Sequence, residues 1–244
     1  MPNWLARTDV DLFVSNRRLQ GRRSYPRALG QWALDSGGFS ELSLFGRWET
    51  SPERYVANVR LYRDEVGGLQ WAAPQDWMCE PQIIARTGST VQQHQERTVG
   101  NLIHLRSSAP DLPFIPVLQG WTVSDYEWCM NLYSRAGVNL WKEPLIGVGS
   151  VCRRQATGEI DVIMERLAGY GLPLHGFGVK AGGLRLYGGL LASSDSMAWS
   201  FTARHSPPLT GCTHEACSNC LRYALKWRAN VMRSLETTQT RMAI

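Results

Sequence analysis

The residues best suited to chemistry stand where apolar runs end. Asp35 closes "QWALD" and is followed by Ser36, Gly37 and Gly38. Asp76 lies in "APQDWMCEP", Gln119 and Gly120 in "IPVLQGW", and Asp195 in "ASSDSMAWS". Two carboxylates facing one pocket can divide a displacement at a sugar carbon, one attacking C1′ while the other handles protons. Asp and Gln side chains offer the acceptors and donors that match a purine edge, and glycines let the backbone approach a flat ligand. Each residue alone also fits a turn, a cap or an ordinary strand end, so the weight falls on the set.

A second group is "CTHEACSNC", with Cys212, His214, Cys217 and Cys220 close together. Three thiols and one imidazole suit a tetrahedral Zn²⁺, and four protein ligands leave no open position, so the site is expected to be structural. His205 is an alternative fourth ligand. Cys79, Cys129 and Cys152 are scattered in apolar surroundings. In a cytosolic chain the cluster indicates metal before disulfides.

These groups need elements to position them. Strand-like runs fall at 11–16, 31–36, 69–76, 113–120, 144–151, 172–179 and 190–199. Helical patterns lie between them: one opened by Ser51-Pro52-Glu53, others near 88–107, 122–137 and 157–171, and a last one near 217–237. Strands alternating with helices predict parallel strands joined by crossover helices. Their number fits a (β/α)8 TIM-type barrel better than an open sheet. The expected organisation is a catalytic barrel over 1–205, then a zinc-binding segment and terminal helix over 206–244. Asp35, Asp76, Gln119, Ser150 and Asp195 then fall at the C-terminal strand ends, the active face of such a barrel.

The 244-residue chain is 43% apolar and 19% charged, within the range of a globular protein with a sizeable core. No run is long and apolar enough for a transmembrane helix, and "MPNWLARTDVD" lacks a signal-peptide core. A cytoplasmic location is the expectation. The net charge of +5 favours a polyanionic partner. Arg17, Arg18, Arg22, Arg23 and Arg27 crowd one stretch, and Arg222, Lys226, Arg228 and Arg233 another. Either cluster alone could equally be solubilising surface charge. Nothing resembles a P-loop.

Taken in order, these motifs resemble the tRNA-guanine transglycosylase superfamily, from about residue 11 to 228. "DSGGFS" resembles the family's DSGG(F/Y)Q, "DWMC" its base-reading Asp segment, "VLQGW" its VQGG, and "LIGVGSV" the glycine-rich strand that contacts the base. The zinc cluster resembles the family's, with ligand types exchanged between positions. The resemblance implies a barrel enzyme that swaps guanine for a 7-deazaguanine base. It makes Asp195 the nucleophile and Asp35 the general acid/base or base holder. Ser36, Gly37, Asp76, Gln119, Gly120, Gly147 and Gly149 become substrate contacts.

Ser40 stands where the family usually has Gln, and Trp121 replaces its second glycine. The short length is similar to the DpdA-type branch, which modifies DNA in phages and genomic islands. That implies DNA as polymer substrate. Arg17, Arg18, Arg22, Arg23, Arg153, Arg222, Lys226 and Arg228 are then phosphate-binding candidates. The tRNA enzymes hold a cationic base with a glutamate after the glycine-rich strand. Here that neighbourhood reads "VCRR", so a neutral base such as preQ0 is expected. Family members often dimerise, and an oligomer is compatible with the sequence. The alternatives are the same exchange on tRNA, or a non-catalytic, zinc-stapled DNA-binding protein.

Overall fold

The computed structural model describes residues 2–152, 154 and 158–242. They form two compact units, Met1–Ser150 with Gly171–Pro173, and Val151–Tyr170 with Leu174–Ile244.

The first unit is built on parallel strands taken in chain order. They are β1 (Leu12–Ser15), β2 (Trp32–Asp35), β3 (Leu69–Ala72), β4 (Val117–Leu118) and β5 (Ile146–Val148). β1 pairs with β2 from Leu12 opposite Trp32 to Ser15 opposite Asp35, and β2 pairs with β3. A parallel bridge between Ala72 and Phe114 carries the pairing on toward β4, which pairs with β5 through Val117 and Gly147. Trp32, Leu34, Ala72, Val117, Leu118, Ile146 and Val148 are buried. Apolar runs of this kind are what a parallel strand needs when both faces are covered.

Six helices accompany these strands: α1 (Asn16–Leu19), α2 (Gly38–Phe45), α3 (Pro52–Val66), α4 (Pro81–Thr87), α5 (Val91–Ser108) and α6 (Val123–Arg135). α3 begins where the Ser51 side chain accepts from Arg54 N and Pro52 occupies the first turn. Such a cap contributes about 1 kcal/mol. Its Tyr55, Val56, Val59, Tyr62 and Val66 lie along one helical face and are all buried. α5 and α6 each open on a reciprocal capping box, Thr90 with Gln93 and Thr122 with Asp125.

The second unit carries a short parallel pair, β6 (Leu174–Gly176) and β7 (Ser193–Ser194), with His175 opposite Ser193 and Gly176 opposite Ser194. Its helices are α7 (Gly158–Ala168), α8 (Ala181–Tyr187), α9 (Ala198–Arg204) and α10 (Leu221–Met242). α7 buries Ile160, Ile163, Met164 and Leu167 along one face. The chain is thus a mixed α/β protein with parallel strands, and each expected strand segment contains one. The strands are shorter than the apolar runs: the 113–120 run contributes only Val117–Leu118 as a named strand. No helix among the described residues is long and apolar enough to cross a membrane.

Candidate active site

The ends of β2, β3, β4 and β5 bring one polar cluster together in the first unit. Asp35 is the last residue of β2, and its Oδ1 accepts from Gly37 N at 3.0 Å. Gly37 has φ +85°, left-handed backbone that favours glycine. A Cβ there would stand 2.9 Å from Cγ of Arg17, so the arginine stem lies over this turn.

Asp76 follows β3 and is buried. Its Oδ1 accepts from Ser36 Oγ at 3.3 Å and its Oδ2 from Gln119 Nε2 at 2.6 Å. Burial and then the nearby Asp35 charge push Asp76 up to about 7, against the opposing pull of Gln119, its own backbone and Ser36. Near neutral pH it therefore holds a proton part of the time. The loop that carries it is fastened by α5. Trp77 N donates to Thr98 Oγ1, Asn101 Nδ2 donates to Gln75 O, and His94 Nδ1 lies 2.6 Å from Met78 O.

Gln119 is wholly buried, and both ends of its carboxamide are engaged within the protein. Its nitrogen serves Asp76, and its Oε1 lies 2.7 Å from Ser150 Oγ. Its backbone carbonyl accepts from Gln95 Nε2, which also reaches Asp125 O. The Ser150 hydroxyl accepts from Cys79 N at 2.7 Å, and its single proton stands between Gln119 Oε1 and Glu80 Oε2, the latter 3.0 Å away. Ser150 is the one non-glycine at positive φ among the described residues, +57°. Such backbone is uncommon outside glycine, and outliers of this kind concentrate at functional sites. Gly149 has no room for a side chain, because a Cβ would overlap the Gln119 carboxamide. Gly147 sits in β5 opposite Val117, and Gly120 at the entry to α6, where a Cβ would meet Tyr126 N at 2.9 Å. Burial pushes the Cys79 thiol up, so it is not a thiolate nucleophile.

Asp195 belongs to the second unit, directly after β7. Its Oδ1 accepts from Gly178 N at 2.9 Å and lies 3.5 Å from His175 Nε2. The other ring nitrogen of His175 is 2.8 Å from Ser193 Oγ. The same unit holds Cys212, His214, Cys217 and Cys220 with all four donor atoms within 4.8 Å of one another. Thiolates on a tetrahedral zinc at about 2.3 Å stand roughly 3.8 Å apart. Cys212 Sγ and Cys220 Sγ are 4.0 Å apart, so the donor set fits such an ion. Leu209 N donates to Cys217 Sγ at 3.4 Å, the kind of outer contact that steadies a thiolate ligand. His205 caps α9 with its ring against Phe201, while His214 Nε2 lies 3.0 Å from Cys217 Sγ.

Of the basic candidates, Arg17, Arg18 and Arg23 are exposed. Arg22 is half-buried and donates to Asn3 Oδ1. Lys226 and Arg228 are exposed on α10, whereas Arg222 donates to Thr210 O in the loop of the Cys/His cluster. Arg153 lies outside the described residues. Glu80, Gln95 and His175 enter the site description only through the structure. Their sequence neighbours, "MCEP", "VQQHQ" and "PLHGFG", carry no local sign of a partner so far along the chain.

The site defines a class: an α/β protein whose polar and acidic residues gather at the ends of successive parallel strands, with a Cys/His cluster fit for a metal near the C-terminus. More specifically, the chain belongs to the DpdA family, described as DeoxyPurine in DNA protein A, which it matches over residues 1–243. No curated protein matches it. Among solved structures it is similar to the carboxyl transferase domain of Rhizobium etli pyruvate carboxylase at 12% identity and a TM-score of 0.39. That likeness covers 97% of this chain and 49% of the other, so the chain spans about half that structure's length.

Proposed function

We propose that the protein is a DNA-guanine transglycosylase that exchanges guanine in DNA for a neutral 7-deazaguanine base such as preQ0. Membership of the DpdA family supports DNA modification. The observation that carries the reading further is the cluster of Asp35, Ser36, Asp76 and Gln119 at consecutive strand ends, with Asp76 raised to about 7. A carboxyl that is neither firmly charged nor firmly neutral can accept from or donate to a purine edge. The chain order of the first unit's strands supports a barrel-type frame, since a doubly wound sheet reverses its strand order. The basic "VCRR" after β5 supports a neutral rather than cationic base.

In this mechanism the target deoxyguanosine leaves the duplex stack or comes from a single strand. Asp195 attacks C1′, the C1′–N9 bond breaks, and guanine departs with the electron pair and takes up a proton. The incoming base gives up its N9 proton and attacks C1′, releasing the Asp195 carboxylate. Asp35 handles these protons or holds the base, while Asp76 and the backbone near Gly147 read the purine. Gln119 contributes by gripping Asp76. Ser36, Gly37, Gly120 and Gly149 keep the backbone close to base and network. Arg17, Arg18, Arg22, Arg23, Arg153, Lys226, Arg228 and, less directly, Arg222 would hold phosphates. Cys212, His214, Cys217 and Cys220 would hold one Zn²⁺, whose contribution is to fix the loop before α10. No step of the exchange passes through it.

The test is a denaturant-resistant protein–DNA adduct. The wild-type chain incubated with guanine-containing DNA should form one, and Asp195→Ala should form none and exchange no guanine. An Asp195→Ala variant with full exchange would show that another residue attacks C1′.

A further inference from the structure

We infer that His175 is a positioning residue for Asp195, holding Oδ1 so that Oδ2 is the oxygen that bonds C1′. The inference rests on the assignment of Asp195 as nucleophile and adds which oxygen attacks and what aims it.

The β6–β7 register sets His175 opposite Ser193, two residues before Asp195. Ser193 Oγ lies 2.8 Å from Nδ1, and Nε2 lies 3.5 Å from Asp195 Oδ1. A hydroxyl donating to Nδ1 leaves the ring proton on Nε2. The other tautomer would set an Nε2 lone pair against a carboxylate oxygen, which is repulsive. Gly178 N–H donates to the same Oδ1 at 2.9 Å. Two N–H groups from the end of one strand therefore converge on a single oxygen. Among the described residues Oδ2 has no hydrogen bond, and the Asp195 side chain keeps 18% of its surface exposed while that of His175 keeps 4%. Phe177 meets the imidazole edge-on, with centroids 5.0 Å apart, and so limits its tilt. The 3.5 Å separation is longer than a hydrogen bond, as catalytic contacts commonly are before substrate binds.

This arrangement acts on both displacements. In the first, an Oδ2 lone pair forms the bond to C1′ as the C1′–N9 pair leaves with guanine. In the second, N9 of the deprotonated incoming base forms its bond to C1′, and the C1′–Oδ2 pair returns to the carboxylate. The proton lost by one base matches that gained by the other. Nε2–H and Gly178 N–H fix the carboxylate plane for the attack and receive the charge that returns to it.

Steady-state exchange of labelled guanine into DNA tests this, with His175→Ala, His175→Gln, His175→Asn and Asp195→Ala compared at equal folded fraction. His175→Ala should lose about 100-fold in kcat, the cost of a misaimed reacting group, with KM for DNA changed by no more than about threefold. Glutamine can return an N–H at the Nε2 position, and asparagine only at Nδ1. His175→Gln should therefore recover to within about tenfold of wild type, with His175→Asn staying near the alanine level. Wild-type kcat in His175→Ala, equal recovery by Asn and Gln, or equal loss in all three would overturn the inference. If His175→Ala does not fold, the Gln and Asn pair decides. Exchange by Asp195→Ala would overturn the nucleophile assignment itself, a result distinguishable from any of these.

Discussion

Asp76 is the residue whose proton the surrounding site controls. Its carboxyl sits at about 7 in the fold against an ordinary value of 3.8, first through burial and then through Asp35. A carboxyl raised on folding binds its proton more tightly in the native state, so the native state is favoured by acid. That contribution is full below about 3.8, declines as pH rises toward 7, and is gone above it. Between pH 5 and pH 8 the wild type should lose on the order of 2–3 kcal/mol that Asp76→Asn does not lose. Urea titrations at the two pH values measure this, and identical losses in both proteins would refute the assignment. The candidate carboxylates were legible in the sequence because each ends an apolar run. The state of Asp76 was not, because it comes from burial and from the charge of Asp35, which is distant along the chain. Gln119 is a clearer case. Its type suggests base reading, yet its amide is engaged by Asp76 and Ser150, a geometry no spacing could reveal.

At the scale of elements, the strands and the long helices follow from apolar runs and caps that the sequence displays. α1, α2, α4, α8 and α9 were not legible. Each has eight residues or fewer, too short for a helical period to stand out, and α2 begins at a glycine. Their stability comes from tertiary packing rather than propensity. Leu42 of α2 and Ile83 of α4 meet in a cluster with Met78, Trp48 and Trp77. The Cys/His cluster was legible because its members are neighbours in sequence. One zinc per chain should be found by elemental analysis. Cys217→Ser or chelation should lower the Tm by about 5–10 °C, since a structural ion adds directly to folding stability. A metal-free protein with an unchanged Tm would exclude a structural role.

At the scale of the whole molecule, the positive charge must serve a polyanion if the proposed function holds. The Arg17 stem lies over Gly37 beside Asp35, so α1 brings cations to the rim of the first unit's cluster. Replacing Arg17 and Arg18 with alanine should weaken binding across DNA sequences. It should also flatten the salt dependence of log K by about 0.9 for each duplex phosphate that the protein no longer neutralises. An unchanged slope would return these residues to ordinary surface charge. The activity proposed for the whole molecule is guanine exchange in DNA. Its most direct measurement is mass spectrometry of nucleosides released from DNA and from tRNA after incubation with the protein and preQ0. The expected product is a 7-deazaguanine deoxynucleoside from DNA, matched by released guanine and abolished in Asp195→Ala. Modified nucleoside from tRNA alone, or none from either polymer, would contradict it.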